Sequence, residues 1–326
     1  MNIAPDGTHL FVSDMFENVV RVLAASSGRH VTADVPAGMW PHDNVVSPDG
    51  RYVLNQSIGR IIKDVGLLRR ALLGDDAAVP APVRFDLLPG ITADTVTAPA
   101  GASEEERFDA VHLITVFDAA PPFAVREVIR FDLGGGDVPN AFARGVRPSA
   151  LSPDGRFLYA QLSDLRGVIE YDLEARRLTR SLDLAPEGEP AMIPPDDTRY
   201  LETYDFFRSP HHGLALSGDA RTLCVAARAD DRAYLVDRDA MALLAAVDIG
   251  QEPGWAATGP RGTHCYLANA GDGTVSVVSY AEQREIARIP VGAGVKHVLA
   301  GRVPEPAVCP QGFDPSRARP CGRGVP

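Results

Sequence analysis

Apolar and polar residues alternate along this chain in runs of five or six, and turn residues interrupt them at regular distances. APDGTHLFVSD (4–14), SPDGRYVLNQS (47–57) and SPDGRFLYAQLSD (152–164) share one order, a tight turn followed by a strand of period two. SGDARTLCVAARAD (217–230) and GPRGTHCYLANAGD (259–272) are looser copies. Period-two alternation predicts half-buried strands. In the turn, proline pre-sets one dihedral and glycine accepts a positive φ.

The segment after each copy repeats as well. GTVSVVSYAEQREIARIPVGAG (273–294) predicts a strand, a polar turn and a second strand, and 18–38 and 167–188 have the same plan. The unit is therefore four short strands, a to d. The intervals from 5 to 48 and from 218 to 260 match the roughly 40–45 residues of one propeller blade. A ring of such blades closes on itself and leaves few exposed sheet edges. The expected fold is an all-β propeller of four-stranded antiparallel blades, a single domain over 1–302, with a Pro/Gly-rich tail over 303–326.

SPDGRFLYAQLSD and THCYLANAGDGTVSVVSYAEQREIARIPVG (263–292) resemble the YVTN-repeat β-propellers. The resemblance covers about two thirds of the chain. It implies a propeller of the lactonase-like seven-bladed group, which mixes binding proteins with enzymes. Turn anchors near 5, 48, 99, 153, 218 and 260 count six blades, whereas the resemblance implies seven. The stretch 58–150 has room for the extra blade, and its segment IIKDVGLLRRALLG reads as a strand with a helical insertion. The first blade looks truncated, and GVKHVLAGRVP (294–304) reads as one more a-strand closing it.

The blade plan places side chains. If strand a lines the channel and the Pro-Asp-Gly turn lies at the bottom, the d–a and b–c connections share the top face. Five residues before each turn serine, or its equivalent, stand His42, Arg147, His212 and Gly254, with Lys296 or His297 in the last copy. Neighbouring positions add Asp43, His211 and Trp255, and Asp94 in the weakest repeat. The b–c corners add Asp14, Asn55, Asp164 and Asn269. The interval 153–218 is about twenty residues longer than one blade. Its excess, 189–208, carries Tyr200, Tyr204, Phe206 and Phe207 and is expected as a lid or wall beside the funnel, since long loops are usually functional or disordered.

Composition narrows the function. Net charge is −11 over 326 residues, which argues against nucleic acid or an anionic membrane surface as partner. No apolar run reaches the length of a transmembrane helix. The start has no basic, apolar signal pattern, so the chain as given is expected in the cytoplasm, or in the periplasm or outside the cell if a leader precedes it. Cys224 and Cys265 fall in apolar strands and are expected as buried thiols. Cys309 and Cys321 bracket a polar loop that a disulfide could close, the alternative being two free thiols. Glu170 and Asp172 are expected on a solvated outer face.

Two chemistries suit the funnel. His42, His212 and His297 could hold a divalent transition metal, provided their ring nitrogens converge. Without metal, His42 or His212 could move a proton while Arg147 stabilises an oxyanion, as a lactonase-type hydrolase or an isomerase requires. Asp43, Asn55, Tyr200, Tyr204, Phe207, His211, Trp255 and Lys296 would then contact a small polar or anionic molecule. A non-catalytic scaffold whose rim engages a protein is the alternative. The chain has no phosphate loop, dinucleotide fingerprint or nucleophile elbow.

Overall fold

The repeated turns fold alike in the computed structural model, which describes residues 1–15, 17–32, 34–58, 112–131, 145–163, 165–192 and 209–301. Ser47 Oγ donates to Asp49 Oδ1 (2.6 Å) and accepts from the Tyr52 amide (2.9 Å). Ser152 and Asp154 repeat this with Phe157, and Ser217 and Asp219 with Thr222. The fourth turn residue has a positive φ, 72° at Gly50 and 73° at Gly155, and Ala220 adopts 58° without a glycine's freedom.

From each turn the chain rises into antiparallel strands, and the described residues form five four-stranded sheets with strands in chain order. Blade one holds β1 (Asn2–Ile3), β2 (His9–Asp14), β3 (Val19–Ala24) and β4 (Val35–Pro36). Blade two holds β5 (Pro41–Val46), β6 (Tyr52–Ser57), β7 (Leu113–Asp118) and β8 (Val125–Arg130). Blade three holds β9 (Val146–Leu151), β10 (Phe157–Leu162), β11 (Gly167–Asp172) and β12 (Arg177–Asp183). Blade four holds β13 (Gly213–Leu216), β14 (Thr222–Ala227), β15 (Arg232–Asp237) and β16 (Ala242–Asp248). Blade five holds β17 (Pro253–Thr258), β18 (His264–Asn269), β19 (Thr274–Ser279) and β20 (Arg284–Pro290).

The fold is a β-propeller, with five blades among the described residues in place of the six or seven expected. The difference arises in 58–150. Tyr52–Ser57 pairs directly with Leu113–Asp118, so one blade spans this stretch and 59–111 falls inside its b–c connection. The anchor near 99 and the segment IIKDVGLLRRALLG lie outside the described residues. The expected strand over 294–304 is not formed within 295–301. That segment instead passes between β17 and β1, with the Lys296 carbonyl near Gly254 and Gly301 packed on Ile3.

Each seam between consecutive blades has its own apolar core, because strand side chains alternate between the two faces of a blade. Val53 joins Phe11 and Phe117 in the seam of blades one and two, while Leu54 joins Leu158 and Ile169 in that of blades two and three. Tyr159 and Val225 meet between blades three and four. Between blades four and five, Cys224 and Cys265 form a disulfide with Cα atoms 6.5 Å apart. This corrects the expectation of two thiols. Cys224 stands four residues after Ala220 and Cys265 three after Gly262, and this opposite parity turns the two side chains toward each other.

A second correction concerns Glu170 and Asp172, which are buried. Strand β12 flanks their strand in the sheet, and Arg180 pairs with Glu170 while Arg156 pairs with Asp172. Cys309 and Cys321 lie outside the described residues.

Candidate functional site

The inner strands of blades two, four and five and the segment after β20 bring four aromatic rings together at the axis. His42, entering β5, and His212, just before β13, have ring centroids 5.1 Å apart and nearly perpendicular. Trp255 on β17 lies 5.0 Å from His212, stacks on His42 at 5.6 Å and 28°, and lies 4.1 Å from His297. Gly213 allows this approach: a Cβ there would stand 2.6 Å from Trp255 Cα and 2.5 Å from the Ala256 nitrogen. Residues separated by more than two hundred positions thus form one imidazole–indole cage.

The tautomer of His212 is set by its backbone partner. Its Nδ1 lies 2.6 Å from the Gly254 carbonyl, which only accepts, so Nδ1 carries the proton and Nε2 keeps its lone pair. His42 Nδ1 and His297 Nε2 are buried without a hydrogen-bond partner. All three rings resist protonation. Burial, then His212, Arg147 and Lys296, hold the His42 pKa well below 6.5. Burial, then Arg147 and Lys296, do the same to His212. Burial and nearby positive charge take His297 down to about 3.

Positive charge gathers around this cage although the chain is acidic. Arg147 is fully buried on β9 and donates from Nε to Ser163 Oγ (3.0 Å). Lys296 is held below its ordinary pKa by desolvation, then by Arg228 and Arg147. Arg228 also reaches Glu252 (3.6 Å), so its charge is partly compensated, while Arg147 and Arg228 both act on Lys296. Arg228 was missed in the sequence, although it stands one residue beyond the b–c corner position that Asn269 occupies in blade five.

Asp43 is directed into the seam of blades two and three, where its Oδ2 accepts from the Ser149 amide (3.3 Å). Burial raises its pKa, against the lowering effect of the Met1 α-amine and of the Ser149 and Asn44 amides. Asp43, Ser149, Trp255 and Thr258 are among the residues lining an axial cavity of about 270 Å³. Asn55 is fully buried, donating to Ser13 Oγ, the Asp43 carbonyl and Asn44 Oδ1. It lies in the seam with blade one.

The adjacent histidines face different surroundings. His212 enters the cage, whereas His211 lies between blades three and four with Nε2 3.0 Å from Asp230 Oδ2. Tyr234 donates to the same oxygen (3.0 Å), and Arg166 stands 3.9 Å from Asp230 Oδ1. At the other corners, Asp14 pairs with Arg21, and Asn269 donates to Thr274 and Ser276. Asp94, Asp164, Tyr200, Tyr204, Phe206 and Phe207 lie outside the described residues.

The arrangement offers a proton acceptor at His212 Nε2, with Arg147 and Lys296 nearby. Among the described residues, no group of three or more His, Cys, Asp or Glu could hold a metal ion. Nor is any helix among them long and apolar enough to cross a membrane.

No family model matches the chain, and no curated protein does. Among solved structures, Kuenenia stuttgartiensis hydrazine synthase is similar at 17% identity and a TM-score of 0.47, over 86% of this chain and 82% of that one. A functionally unknown protein from Desulfotomaculum acetoxidans DSM 771 is similar at 10% identity and a TM-score of 0.49, over 87% of this chain and 66% of that one. Likenesses at this level concern fold and say nothing of activity.

Proposed function

We propose that this propeller binds a small anionic molecule, a carboxylate or a phosphate, in the funnel formed by His42, His212, Trp255 and His297. The observation that carries the reading is the meeting of this cage with Arg147, Lys296 and Arg228, where burial first, and then the two arginines, hold Lys296 below its ordinary pKa. An anion placed among them relieves that repulsion. The uncharged rings give a planar ligand surfaces to stack on and one acceptor nitrogen to bond.

The same groups suit a lactonase-type ring opening or a proton shift beside a carbonyl. His212 Nε2 would take the proton, and Arg147 and Lys296 would stabilise the oxyanion. We read the repeat unit as YVTN-like on its Ser-Pro-Asp-Gly turns. The buried Cys224–Cys265 disulfide supports an oxidising compartment, periplasmic or extracellular, over the cytoplasm.

Calorimetry with a panel of mono- and dicarboxylates and inorganic phosphate tests the binding reading, with Trp255 fluorescence as a second signal. His212→Ala and Lys296→Met should each weaken the best ligand at least about tenfold while circular dichroism stays unchanged. Binding should also take up protons, because an anion raises the pKa of the imidazoles it touches. Wild-type affinity in both variants, or no binding across the panel, would refute the reading.

A further inference from the structure

Among the described residues that line the axial cavity of about 270 Å³, Asp43 is the one charged side chain. It is 6% exposed. Among the described residues it forms no ion pair, and its hydrogen bonds come from the Ser149 and Asn44 amides. A buried carboxylate is costly unless a cation pairs with it. The Met1 α-amine lines the same cavity and attracts Asp43, yet burial holds that amine below its ordinary pKa of 8.0. At pH 8 it is therefore mostly uncharged, and Asp43 is left without a cation.

Ser149 supplies a second, independent sign of a ligand. It is 7% exposed, lines the same cavity, and its Oγ is buried without a hydrogen-bond partner. It stands on β9 and Asp43 on β5, and the amide-to-carboxylate contact of 3.3 Å already joins the two residues. An ammonium group has three donors and one positive charge, so it can bond a carboxylate and a hydroxyl together. A water molecule could bond the hydroxyl but brings no charge. The other walls include Leu214, Trp255, Val298 and Leu299. Apolar walls with a few polar groups are how small organic molecules are held, and an indole adds cation–π attraction. A bare hard metal ion would need about six oxygen ligands instead.

We propose that the axial cavity binds a small organic amine, held as its ammonium ion between Asp43 and Ser149 with its carbon chain against Leu214 and Trp255. This ligand is opposite in charge to the one assigned to the imidazole–indole cage. The two sites share Trp255 and otherwise use different side chains.

Calorimetry on the full chain at pH 8 tests this with n-butylammonium chloride, using 1-butanol as the uncharged analogue and potassium chloride as the inorganic cation. An alkylammonium keeps its proton there, as a lysine does with its ordinary pKa of about 10.4. Wild type should bind n-butylammonium at least about tenfold more tightly than 1-butanol or potassium. Asp43→Asn should weaken that binding at least about tenfold, and Ser149→Ala by about threefold, with thermal unfolding to show that each variant is folded. Should Asp43→Asn fail to fold, the comparison with 1-butanol in wild type still decides. No binding of n-butylammonium up to roughly 10 mM, equal affinity for 1-butanol, or wild-type affinity in folded Asp43→Asn would each overturn the proposal. Potassium bound as tightly as n-butylammonium would overturn it too, since the site would then be one for inorganic ions.

Discussion

Blades two and three differ from blades four and five at equivalent positions of the same strand. Six residues after the fourth turn residue stand Gln56 and Gln161 in the first pair, and Ala226 and Ala268 in the second. All four are fully buried. Both glutamine side chains have nitrogen and oxygen without a partner, whereas Ala226 packs in the apolar seam crossed by the Cys224–Cys265 disulfide and Ala268 has no polar side-chain atom to satisfy. Arg147 also lies in blade three, and Asp43 is directed into the seam of blades two and three. One half of the ring is built for cohesion, and the other keeps polar groups buried beside the funnel at a cost in stability. The repeat thus supplies a scaffold on which seams can diverge.

Acid should have the largest effect, and it acts on the cage that the two halves share. His42, His212, His211 and His297 all have pKa values lowered by burial. At His211 the pairing with Asp230 opposes that lowering. Below about pH 6.5 the unfolded chain binds protons that the folded chain refuses, so stability falls as pH drops from there toward the folded pKa values. Each such histidine contributes a slope of up to about 1.4 kcal/mol per pH unit. Asp43 offsets part of this at lower pH, because its raised pKa makes the folded state the better proton binder there. Urea midpoints across pH 7.5 to 5 should fall steeply in wild type and less steeply in His212→Gln. Parallel curves would show that the cage histidine is not the titrating group.

Removing the cross-link should act on blades four and five alone. The disulfide spans 41 residues, and loops of that length are stabilised by about 2–4 kcal/mol on closure. The double substitution Cys224→Ala, Cys265→Ala should lower the urea midpoint accordingly and leave anion binding in the funnel unchanged. If binding were lost while the protein remained folded, the two halves would be coupled rather than separable.

The legibility of these features depends on how far each signal extends along the chain. The turns are readable because Ser, Asp and Gly act within five residues of one another. The funnel is readable by counting back from those turns, which places His42, His212 and, one residue beyond Gly254, Trp255 at the inner strands of blades two, four and five. The disulfide is not, because its signal is a parity difference between two strands of separate repeats. Asn55 and His211 have the right register for the funnel but the wrong face, and register alone does not decide between a seam and the axis. The blade count fails because 59–111 interrupts one blade between its second and third strands, and an insertion as long as a blade imitates one. Glu170 and Asp172 are misplaced because alternation shows which residues share a face, and says nothing of the arginines that the neighbouring strands bring to them, Arg180 on β12 and Arg156 just before β10.

The smallest predicted effect bears most directly on the comparison. Gln161→Leu keeps side-chain volume close to constant and makes blade three apolar at this position, as blades four and five already are. A buried amide with neither end satisfied destabilises by about 1–3 kcal/mol, so the leucine variant should be more stable than wild type by about 1 kcal/mol. Gln56→Leu should behave likewise, and the double variant should show additive gains because the glutamines face different seams. Both changes should leave Cys224–Cys265 untouched and flatten the difference between the halves. A loss of stability instead would mean that each amide bonds an ordered water, as buried polar groups commonly do. The polar seams would then be hydrated rather than strained, and the contrast between the two halves of the ring would be one of solvent content.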